Sequence, residues 1–534
     1  MAKCCKPLIG SSLWPGIVIS SLLITIVVVT FITLWIHVPQ ISLQGLIHDN
    51  YLWHVIAFTF LQALLSTLLS VIPAIFLAQS LFRRKFKGRI LFLRLCSMTM
   101  VLPVLVAILG LLTVHGRFGW IAQSCQWLGI DYQFTPYGLK GIVLAHIFFN
   151  LPFAIRMLLL ALESIAVEQR QLAAQLDMNT WQHFCILEWP YLRRQILPTA
   201  SLIFMLCFTS FSTVLTLGGG PAATTIELAL YQSLSYDFDL NKAALLALIQ
   251  LFCCLGLVLL SQQLNVIFFV GASRQLQWKN PNDNRCQQLL DMLLISITLI
   301  FLLLPILAII LDGLNLTLLH ALQQPSLWKA CMNSIVIAIS AGVLCIIFTI
   351  MLLWSSRELR LRRLILPYRM LEFSGLLILA MPSIVLSTGF FLLLNKIISF
   401  TGATYSLVIL TNALIAIPCA LKILEHPMYD LAERYNLLCL SLEIKGINRL
   451  MLIELKALKS KIAQAFAFAC ILSMGDFSII SLFGNENFRT LPYYLYQQLG
   501  SYHSDSAAVT ALLMLLLCFS LFSLFERVSE QKHD

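Results

Sequence analysis

The sequence predicts an all-α polytopic membrane protein of about 12 transmembrane helices in two repeated six-helix halves. The first observation is composition: the 534 residues are 59% hydrophobic and only 11% charged. Soluble domains carry roughly 25% charged residues, so most of this chain cannot face water. The second observation is a repeat at an offset of 266 residues, and the third is the number of apolar stretches long enough to cross a bilayer.

The repeat consists of matching residues at equivalent positions of the two halves. The matched pairs are Pro152 and Pro418, Ala154 and Ala420, Phe211 and Phe477, Ser212 and Ser478, Gly218 and Gly484, Thr224 and Thr490, and, after a slip of one residue, Tyr231 and Tyr496. Pro103 with Gly110 likewise returns as Pro382 with Gly389. A repeat this long indicates a duplicated domain. Duplicated halves in a membrane protein are typical of transporters, whose sites lie at the repeat interface.

The apolar stretches divide evenly between the two halves. A helix needs about 20 mostly apolar residues to cross the hydrocarbon core of a bilayer. Such stretches lie at 13–36, 55–81, 91–114, 139–162, 195–217 and 243–270, and again at 290–312, 329–354, 372–395, 404–424, 461–484 and 506–526. Six spans in each half agree with the repeat.

Basic residues predict the orientation, because cytoplasmic loops are enriched in Lys and Arg. The loops 82–94 and 355–370 are rich in them, whereas 37–52, 218–241 and 313–328 contain none. We therefore predict that both termini are cytoplasmic. The net charge of +10 arises from basic residues on the short loops between membrane spans. We therefore expect the chain to contact the lipid bilayer and to have no nucleic-acid partner.

The sequence contains no motif of a catalytic or ATP-binding site. It has no Gly-x-x-x-x-Gly-Lys-Ser/Thr phosphate loop, no arguable Ser/His/Asp arrangement and no metal-ligand spacing. We predict no catalytic residue, no metal site and no cofactor in this chain, so any ATP that drives transport would bind a partner ATPase. The outer loops are too short to form a substrate-capturing domain, which would have to be another protein.

Two inner loops at equivalent repeat positions carry a family resemblance. The first contains Gln171, Ala173, Asp177, Leu187 and Pro190. Their spacing resembles the Glu-Ala-Ala…Gly…Ile-x-Leu-Pro signature of ABC importer permeases. The resemblance implies a coupling loop that docks on an ATPase as a helix in a groove. The alternative is that both loops are merely amphipathic connections between spans.

The two loops depart from the signature to different degrees. Gln171 replaces the Glu of the signature and Asp177 its Gly, and Asp is among the few residues that tolerate positive φ. In the second loop Glu443 occupies the Gly position, although Gly446 nearby could supply the turn, and Ile453 corresponds to the isoleucine. We expect coupling to rely more on the first loop.

Longer stretches narrow the resemblance to the fused twelve-span permeases of ferric-iron and thiamine importers. Residues 216–232 are similar to both groups, whereas 189–195 and 466–502 resemble the thiamine group. The chain thus resembles the type I permease of a thiamine ABC importer, with the ferric-iron importer as nearest alternative. The resemblance implies alternating access in a bacterial inner membrane, import of thiamine with or without its phosphates, an ABC ATPase in two copies, and a periplasmic thiamine-binding protein.

The resemblance also divides the chain into segments. These are 1–54, with the N-terminal tail, first span and outer loop; 55–270, the first permease domain; 271–289, a cytoplasmic linker; 290–328, the seventh span and outer loop; 329–526, the second permease domain; and 527–534, the cytoplasmic tail.

Candidate pathway residues lie in the equivalent segments of the fifth and eleventh spans. They are Ser210, Ser212, Thr213, Asp476 and Ser478. Since Ser210 corresponds to Asp476 in the repeat, symmetry predicts both near one axis. A carboxylate within a span costs roughly 2.5–3.5 kcal/mol and usually faces the bundle interior or a cavity. Asp476 therefore either offers negative charge to a cationic substrate or bonds a neighbouring helix and holds the halves together.

An ion-coupled secondary transporter is the alternative from another functional class. It would be expected to carry ionisable residues at mid-membrane, and Asp476 alone stands clearly inside a predicted span. A membrane scaffold without transport activity would leave the repeat unexplained.

Overall fold

The computed structural model describes residues 10–37, 49–84, 86–131, 134–263, 285–394, 401–444, 446–485, 488–501 and 503–530. The first half of this part is built from helices α1 to α11. They are α1 (Gly10–His37), α2 (Asn50–Arg83), α3 (Arg89–Val101), α4 (Val104–His115), α5 (Trp120–Trp127), α6 (Leu139–Glu163), α7 (Val167–Gln175), α8 (Trp189–Phe208), α9 (Phe211–Leu217), α10 (Ile226–Ser235) and α11 (Leu240–Gln263). A short helix, Thr180–Gln182, and a π-helix, His183–Glu188, lead into α8.

The second half repeats these helices in the same order, apart from the short loop helices α5 and α13. Its helices are α12 (Arg285–Gly313), α13 (Leu318–Gln323), α14 (Pro325–Leu361), α15 (Ile365–Leu376), α16 (Ser383–Leu394), α17 (Thr401–Arg434), α18 (Asn436–Ser441), α19 (Leu455–Gly475), α20 (Ser478–Phe483), α21 (Leu491–Gly500) and α22 (Ser504–Glu530). A π-helix, Leu450–Glu454, precedes α19 just as His183–Glu188 precedes α8.

The membrane-spanning helices agree with the predicted polytopic all-α class. Among the described residues, 10 helices are long and apolar enough to cross a membrane, and an eleventh span results if a pair bent by 54° is counted as one. The predicted ninth span, 372–395, is instead divided between α15, a 3-10 turn at Leu377–Ala380 and α16. The count is therefore about the twelve expected.

The third and ninth predicted spans are interrupted at equivalent prolines. Leu102, before Pro103, has an extended backbone with φ −66° and ψ 127°, and it separates α3 from α4. Met381, before Pro382, is likewise extended, with φ −109° and ψ 102°. Proline lacks an N–H and disfavours the helical conformation of the preceding residue, which accounts for both interruptions.

The fifth and eleventh predicted spans are also interrupted, again at equivalent places. Ser210, with φ −99° and ψ 78°, separates α8 from α9. Asp476, with φ −72° and ψ 124°, ends α19 before α20. The sequence predicts continuous helices over 195–217 and 461–484, and no proline stands at either break. The interruptions place the candidate pathway residues at helix ends, where backbone polar groups are not fully used by the helix.

The first span of each half packs on the other half, and equivalent glycines permit the close approach. A β-carbon added to Gly110 in α4 would lie 2.4 Å from the carbonyl oxygen of Pro305 in α12. One added to Gly389 in α16 would lie 2.3 Å from Cγ2 of Thr30 in α1. Each glycine thus permits a close helix contact between the halves, and the two contacts are equivalent in the repeat.

Some predicted features lie outside the described residues. These are 1–9, 38–48 of the first outer loop, 264–270 at the end of the sixth predicted span, 271–284 of the linker, and 531–534 of the C-terminal tail.

Candidate transport pathway and coupling loops

The first coupling loop is a helix-turn-helix whose turn is made at Asp177. The N–H of Met178 donates to the carbonyl oxygen of Ala173 at 3.2 Å, which closes the end of α7. Asp177 has φ 47°, the left-handed conformation that this helix ending uses. Asn179 and Gln182 then begin the next helix, since each side-chain oxygen accepts the other residue's backbone N–H, at 2.8 and 3.0 Å.

The second coupling loop makes the same turn at Glu443. The N–H of Ile444 donates to the carbonyl oxygen of Cys439 at 2.9 Å. Glu443 itself has φ 54°, and Gly446, with φ 58°, adds a second left-handed residue rather than replacing the first. The two loops therefore keep one backbone geometry although their signature residues differ.

A buried carboxylate fastens the first loop to the end of α2. Glu188, which is fully buried, accepts from Arg83 at 2.8 Å and from the amide of Gln79 at 2.9 Å. Nδ1 of His183 lies 3.2 Å from the same carboxylate. Arg83 and Gln79 belong to α2, whereas His183 and Glu188 belong to the loop. This cluster connects the loop directly to α2.

The equivalent carboxylate fastens the second loop to the end of α14. Glu454 forms an ion pair with Arg357, and both side chains are only 1% exposed. Arg449, at the repeat position of His183, donates to Glu454 at 3.1 Å, to the carbonyl oxygen of Ala432 at 2.9 Å and to the side chain of Asn436 at 3.1 Å. Both halves thus pair an arginine near the end of the equivalent helices α2 and α14 with a carboxylate from the loop.

The candidate coupling residues predicted from the sequence lie in these two loops. Gln171, Asp177 and Glu443 are exposed, Leu187, Pro190 and Ile453 are half-buried, and Ala173 is buried. Large apolar side chains are exposed beside them: Leu172, Leu176, Trp181 and Ile186 in the first loop, and Leu437, Leu442, Ile447 and Met451 in the second. We call these two sets the coupling surfaces. Contiguous exposed apolar side chains mark sites that contact a protein or a membrane.

Four aromatic residues form a layer between the halves, next to the two candidate pathway segments. Phe211 stacks on Phe477 with ring centroids 6.1 Å apart and planes 16° apart. Tyr231 packs on Phe211 at 5.2 Å, and Tyr496 packs on Phe477 at 5.0 Å. Two residues that are equivalent in a repeat can touch only beside the symmetry axis. The aromatic layer, Phe211, Tyr231, Phe477 and Tyr496, therefore lies on the pseudo-twofold axis.

Asp476 lies directly before this layer, and its carboxylate caps α20. It accepts the backbone N–H groups of Ser478 and Ile479, both at 3.3 Å. These hydrogen bonds are made within its own segment, so they hold the turn after α19 rather than a neighbouring helix. The residue as a whole is half-buried.

The other candidate pathway residues lie around the same two breaks. The hydroxyl of Ser210 donates to the carbonyl oxygen of Cys207 at 2.8 Å. Ser212 is half-buried, whereas Thr213 and Ser478 are buried. The structure thus brings the Ser210 and Asp476 segments together through the stacked rings of their neighbours, Phe211 and Phe477.

Two sets of repeat-equivalent residues at this site were not predicted as functional from the sequence. Glu188 and Glu454 are 266 residues apart, as are Phe211 and Phe477. The aromatic pairs served to define the repeat but were not proposed as pathway residues. The carboxylates were not singled out because their arginine partners, Arg83 and Arg357, lie far away in sequence.

In the described ranges, no group of three or more His, Cys, Asp or Glu side chains is placed to hold a metal ion.

Comparison with known proteins assigns the family. The profile described as "Binding-protein-dependent transport system inner membrane component" matches residues 70–267. The thiamine transport system permease protein ThiP of Escherichia coli (strain K12) is 57% identical over 528 residues, covering 99% of this chain and 98% of the relative. The chain belongs to the thiamine transport system permease family. It is a multi-pass component of a bacterial inner-membrane transport system.

More distant members also match over most of the chain. The ThiP permease of Haemophilus influenzae is 43% identical over 477 residues, covering 89% of this chain and 88% of the relative. That of Brucella abortus (strain 2308) is 39% identical over 490 residues, covering 91% and 89%. The permease therefore matches its relatives across both halves, including the divergent second loop.

Proposed function

We propose that this permease translocates thiamine across the inner membrane as the membrane subunit of an ATP-driven importer. The observation that carries the proposal is the aromatic layer on the pseudo-twofold axis with Asp476 beside it. Its relatives of equal length are named thiamine transport permeases, which supports the choice of substrate.

The chemistry of the axis suits an aromatic cation. Thiamine carries a fixed positive charge on a thiazolium ring. Cations are attracted to the faces of aromatic rings by roughly 0.5–2 kcal/mol, and the carboxylate of Asp476 adds a negative charge. Phe211 and Phe477 are only 2% and 1% exposed, so in this conformation the layer is closed, and substrate passage requires the stacked rings to separate.

Energy is supplied from outside this chain. The sequence contains no phosphate-binding loop, so ATP is bound and hydrolysed on a separate ABC ATPase, which we place in two copies against the two coupling surfaces. The ion pairs of Glu188 and Glu454 connect those surfaces to α2 and α14. Movement of an ATPase would then be transmitted as movement of whole helices.

The same arrangement supports an orientation of the permease in the membrane and a side from which its substrate is delivered. The basic loops 82–94 and 355–370 lie on the cytoplasmic side with both coupling loops and both termini. A periplasmic thiamine-binding protein delivers substrate to the opposite face.

Co-purification from the native membrane tests this assembly. A tagged permease should retain two ATPase subunits and, in the presence of thiamine, a soluble thiamine-binding protein. A binding protein that carries ferric iron instead would contradict the substrate assignment. Absence of any ATPase, with uptake driven by an ion gradient, would contradict the mechanism.

A further inference from the structure

Gln62 of α2 is a buried side chain that bonds the break directly before the aromatic layer. Its Nε2 donates to the carbonyl oxygen of Cys207, in the last turn of α8, at 2.9 Å. Carbonyl groups in the last turn of a helix lack partners from that helix, and the break at Ser210 follows. The hydroxyl of Ser210 donates to the same oxygen at 2.8 Å. Two donors, one from α2 and one from the break itself, thus hold the end of α8.

The hydrogen bond of Gln62 is not explained by stability alone. The side chain is 0% exposed, and in the described structure its Oε1 is buried without a hydrogen-bond partner. An unpaired buried acceptor costs stability, whereas an apolar side chain of similar length would fill the same space without that cost. What the glutamine adds at this position is the bond that its amide group donates to α8.

Helices α2 and α8 are fastened to each other at both ends. At the coupling-loop end, Glu188 stands directly before α8 and accepts from Gln79 and Arg83 of α2. At the other end, Gln62 of α2 holds Cys207 of α8. Roughly 26 Å of helix separates Gln62 from Gln79, since each residue adds about 1.5 Å. The two ties thus cover the distance from the first coupling loop to the segment before the aromatic layer.

The second half has an aliphatic residue at the place equivalent to Gln62. The hydroxyls of Thr59 in α2 and Ser334 in α14 accept the first N–H groups of α10 and α21, at 3.1 and 2.8 Å, which aligns the two long helices. One turn further along, Gln62 corresponds to Ile337, whose side chain cannot donate a hydrogen bond. The break of the second half is capped by Asp476. At this position, a bond from the long helix to the break is therefore possible only in the first half.

We propose that Gln62 is a positioning residue of the transport cycle. It fixes the end of α8 to α2, so a movement of the first coupling loop reaches Phe211 of the aromatic layer through both helices together. Without the amide donor, the end of α8 can stay behind while the coupling loop moves. The proposal rests on the proposed function, because it takes an ATPase at the first coupling surface as the source of the movement.

Hydrogen exchange in the assembled permease and ATPase tests this transmission without any substrate. ATP should change the exchange of the backbone amides of residues 207–217 in the wild type. Gln62→Met keeps the length of the side chain and removes the donor, and it should reduce that change on the order of three- to tenfold, because one hydrogen bond shifts an equilibrium by roughly that factor. Thr67→Val is the matched control. The Thr67 hydroxyl is also buried in α2 but donates to Ala63 of the same helix at 2.7 Å, so this variant should respond as the wild type does.

Thiamine uptake and ATP hydrolysis, measured together in proteoliposomes with the binding protein, distinguish a positioning role from loss of folding. Gln62→Met should bind the ATPase and hydrolyse ATP as the wild type does while it moves less thiamine per ATP, whereas a misfolded variant would lose both activities. Gln62→Leu removes the same donor with another apolar side chain and serves if Gln62→Met does not assemble.

The exchange result decides the role of Gln62. An ATP response at residues 207–217 that is equal in Gln62→Met and the wild type, or that is absent from the wild type, would overturn the proposal. Failure of the wild type to take up thiamine, with the exchange response and its loss in Gln62→Met intact, would instead contradict the proposed substrate and support the positioning role.

Discussion

At the residue scale, two buried carboxylates determine how the coupling loops are held. Glu188 and Glu454 occupy equivalent positions, and they pair with Arg83 of α2 and Arg357 of α14. The second pair is more deeply buried than the first, because Arg83 is 20% exposed and Arg357 only 1%. Removing one partner of such a pair leaves an uncompensated charge, a larger penalty than the net stabilisation of the pair itself.

Glu454→Ala should therefore destabilise the permease by about 3–5 kcal/mol. The matched control is Glu433→Ala, whose partner Arg360 lies 3.7 Å away at an exposed site, and it should change stability by less than about 1 kcal/mol. Thermal unfolding in detergent measures both. Equal midpoints for the two variants would contradict the account of Glu454.

Two substitutions at Asp476 distinguish a structural role of this residue from a role in transport. Asp476→Asn retains an acceptor for the N–H groups of Ser478 and Ile479 and removes the charge, so abundance should persist while thiamine uptake falls. Asp476→Leu removes the cap as well and should reduce stable protein. Uptake assays alongside quantification of membrane-inserted protein distinguish these outcomes; unchanged uptake by Asp476→Asn would leave only the capping role.

Local backbone features at this scale were partly predictable. The tolerance of aspartate for positive φ anticipated the turn at Asp177, which has φ 47°. For the second loop the sequence left open that Gly446 supplies the turn, yet Glu443 itself adopts φ 54°. The hydrogen bond from Ile444 to Cys439 closes the helix in the same register as in the first loop, and this tertiary constraint is not visible in the identity of one residue.

At the element scale, the interrupted helices show which breaks a sequence can reveal. The breaks at Pro103 and Pro382 are explained by the prolines themselves, since proline disrupts a helix locally. The breaks at Ser210 and Asp476 have no proline, and they exist where α9 and α20 turn to bring Phe211 against Phe477. The carboxylate of Asp476 caps α20 locally, but periodicity and composition do not detect such a cap inside an apolar stretch and so predict continuous spans there.

The turn of the first coupling loop can be tested by two substitutions at one site. Asp177→Pro cannot adopt φ 47° and removes the N–H that donates to Ala174 at 3.1 Å. It should abolish or uncouple thiamine uptake while the protein still inserts. Asp177→Gly adopts that φ without strain and is the matched control, expected to retain uptake. Normal ATP-driven uptake by a stably inserted Asp177→Pro variant would argue against docking.

At the scale of the whole molecule, duplication explains most of what could be foreseen. The two halves and the equivalence of the loops follow from the 266-residue offset, and the apolar stretches divide evenly between the halves. The exchange of first spans between halves could not be predicted, because it depends on contacts such as Gly110 with α12 and Gly389 with α1. The aromatic layer likewise arises only when the halves assemble.

The orientation of the assembled molecule is tested by cysteine accessibility. In a cysteine-free background, Ser441→Cys, which is exposed in the second coupling loop, should react with an impermeant maleimide only after the cells are permeabilised. Ser235→Cys, at the end of α10 on the opposite face, should react in intact cells. Labelling of Ser441→Cys from outside would invert the proposed topology.

Uptake by the reconstituted importer tests the central claim most directly. Proteoliposomes that contain the permease, its ATPase and the thiamine-binding protein should accumulate radiolabelled thiamine when ATP is inside, and a proton or sodium gradient without ATP should give none. Ferric iron should not compete. Accumulation driven by an ion gradient alone, or ATP-dependent uptake of iron in place of thiamine, would contradict the account.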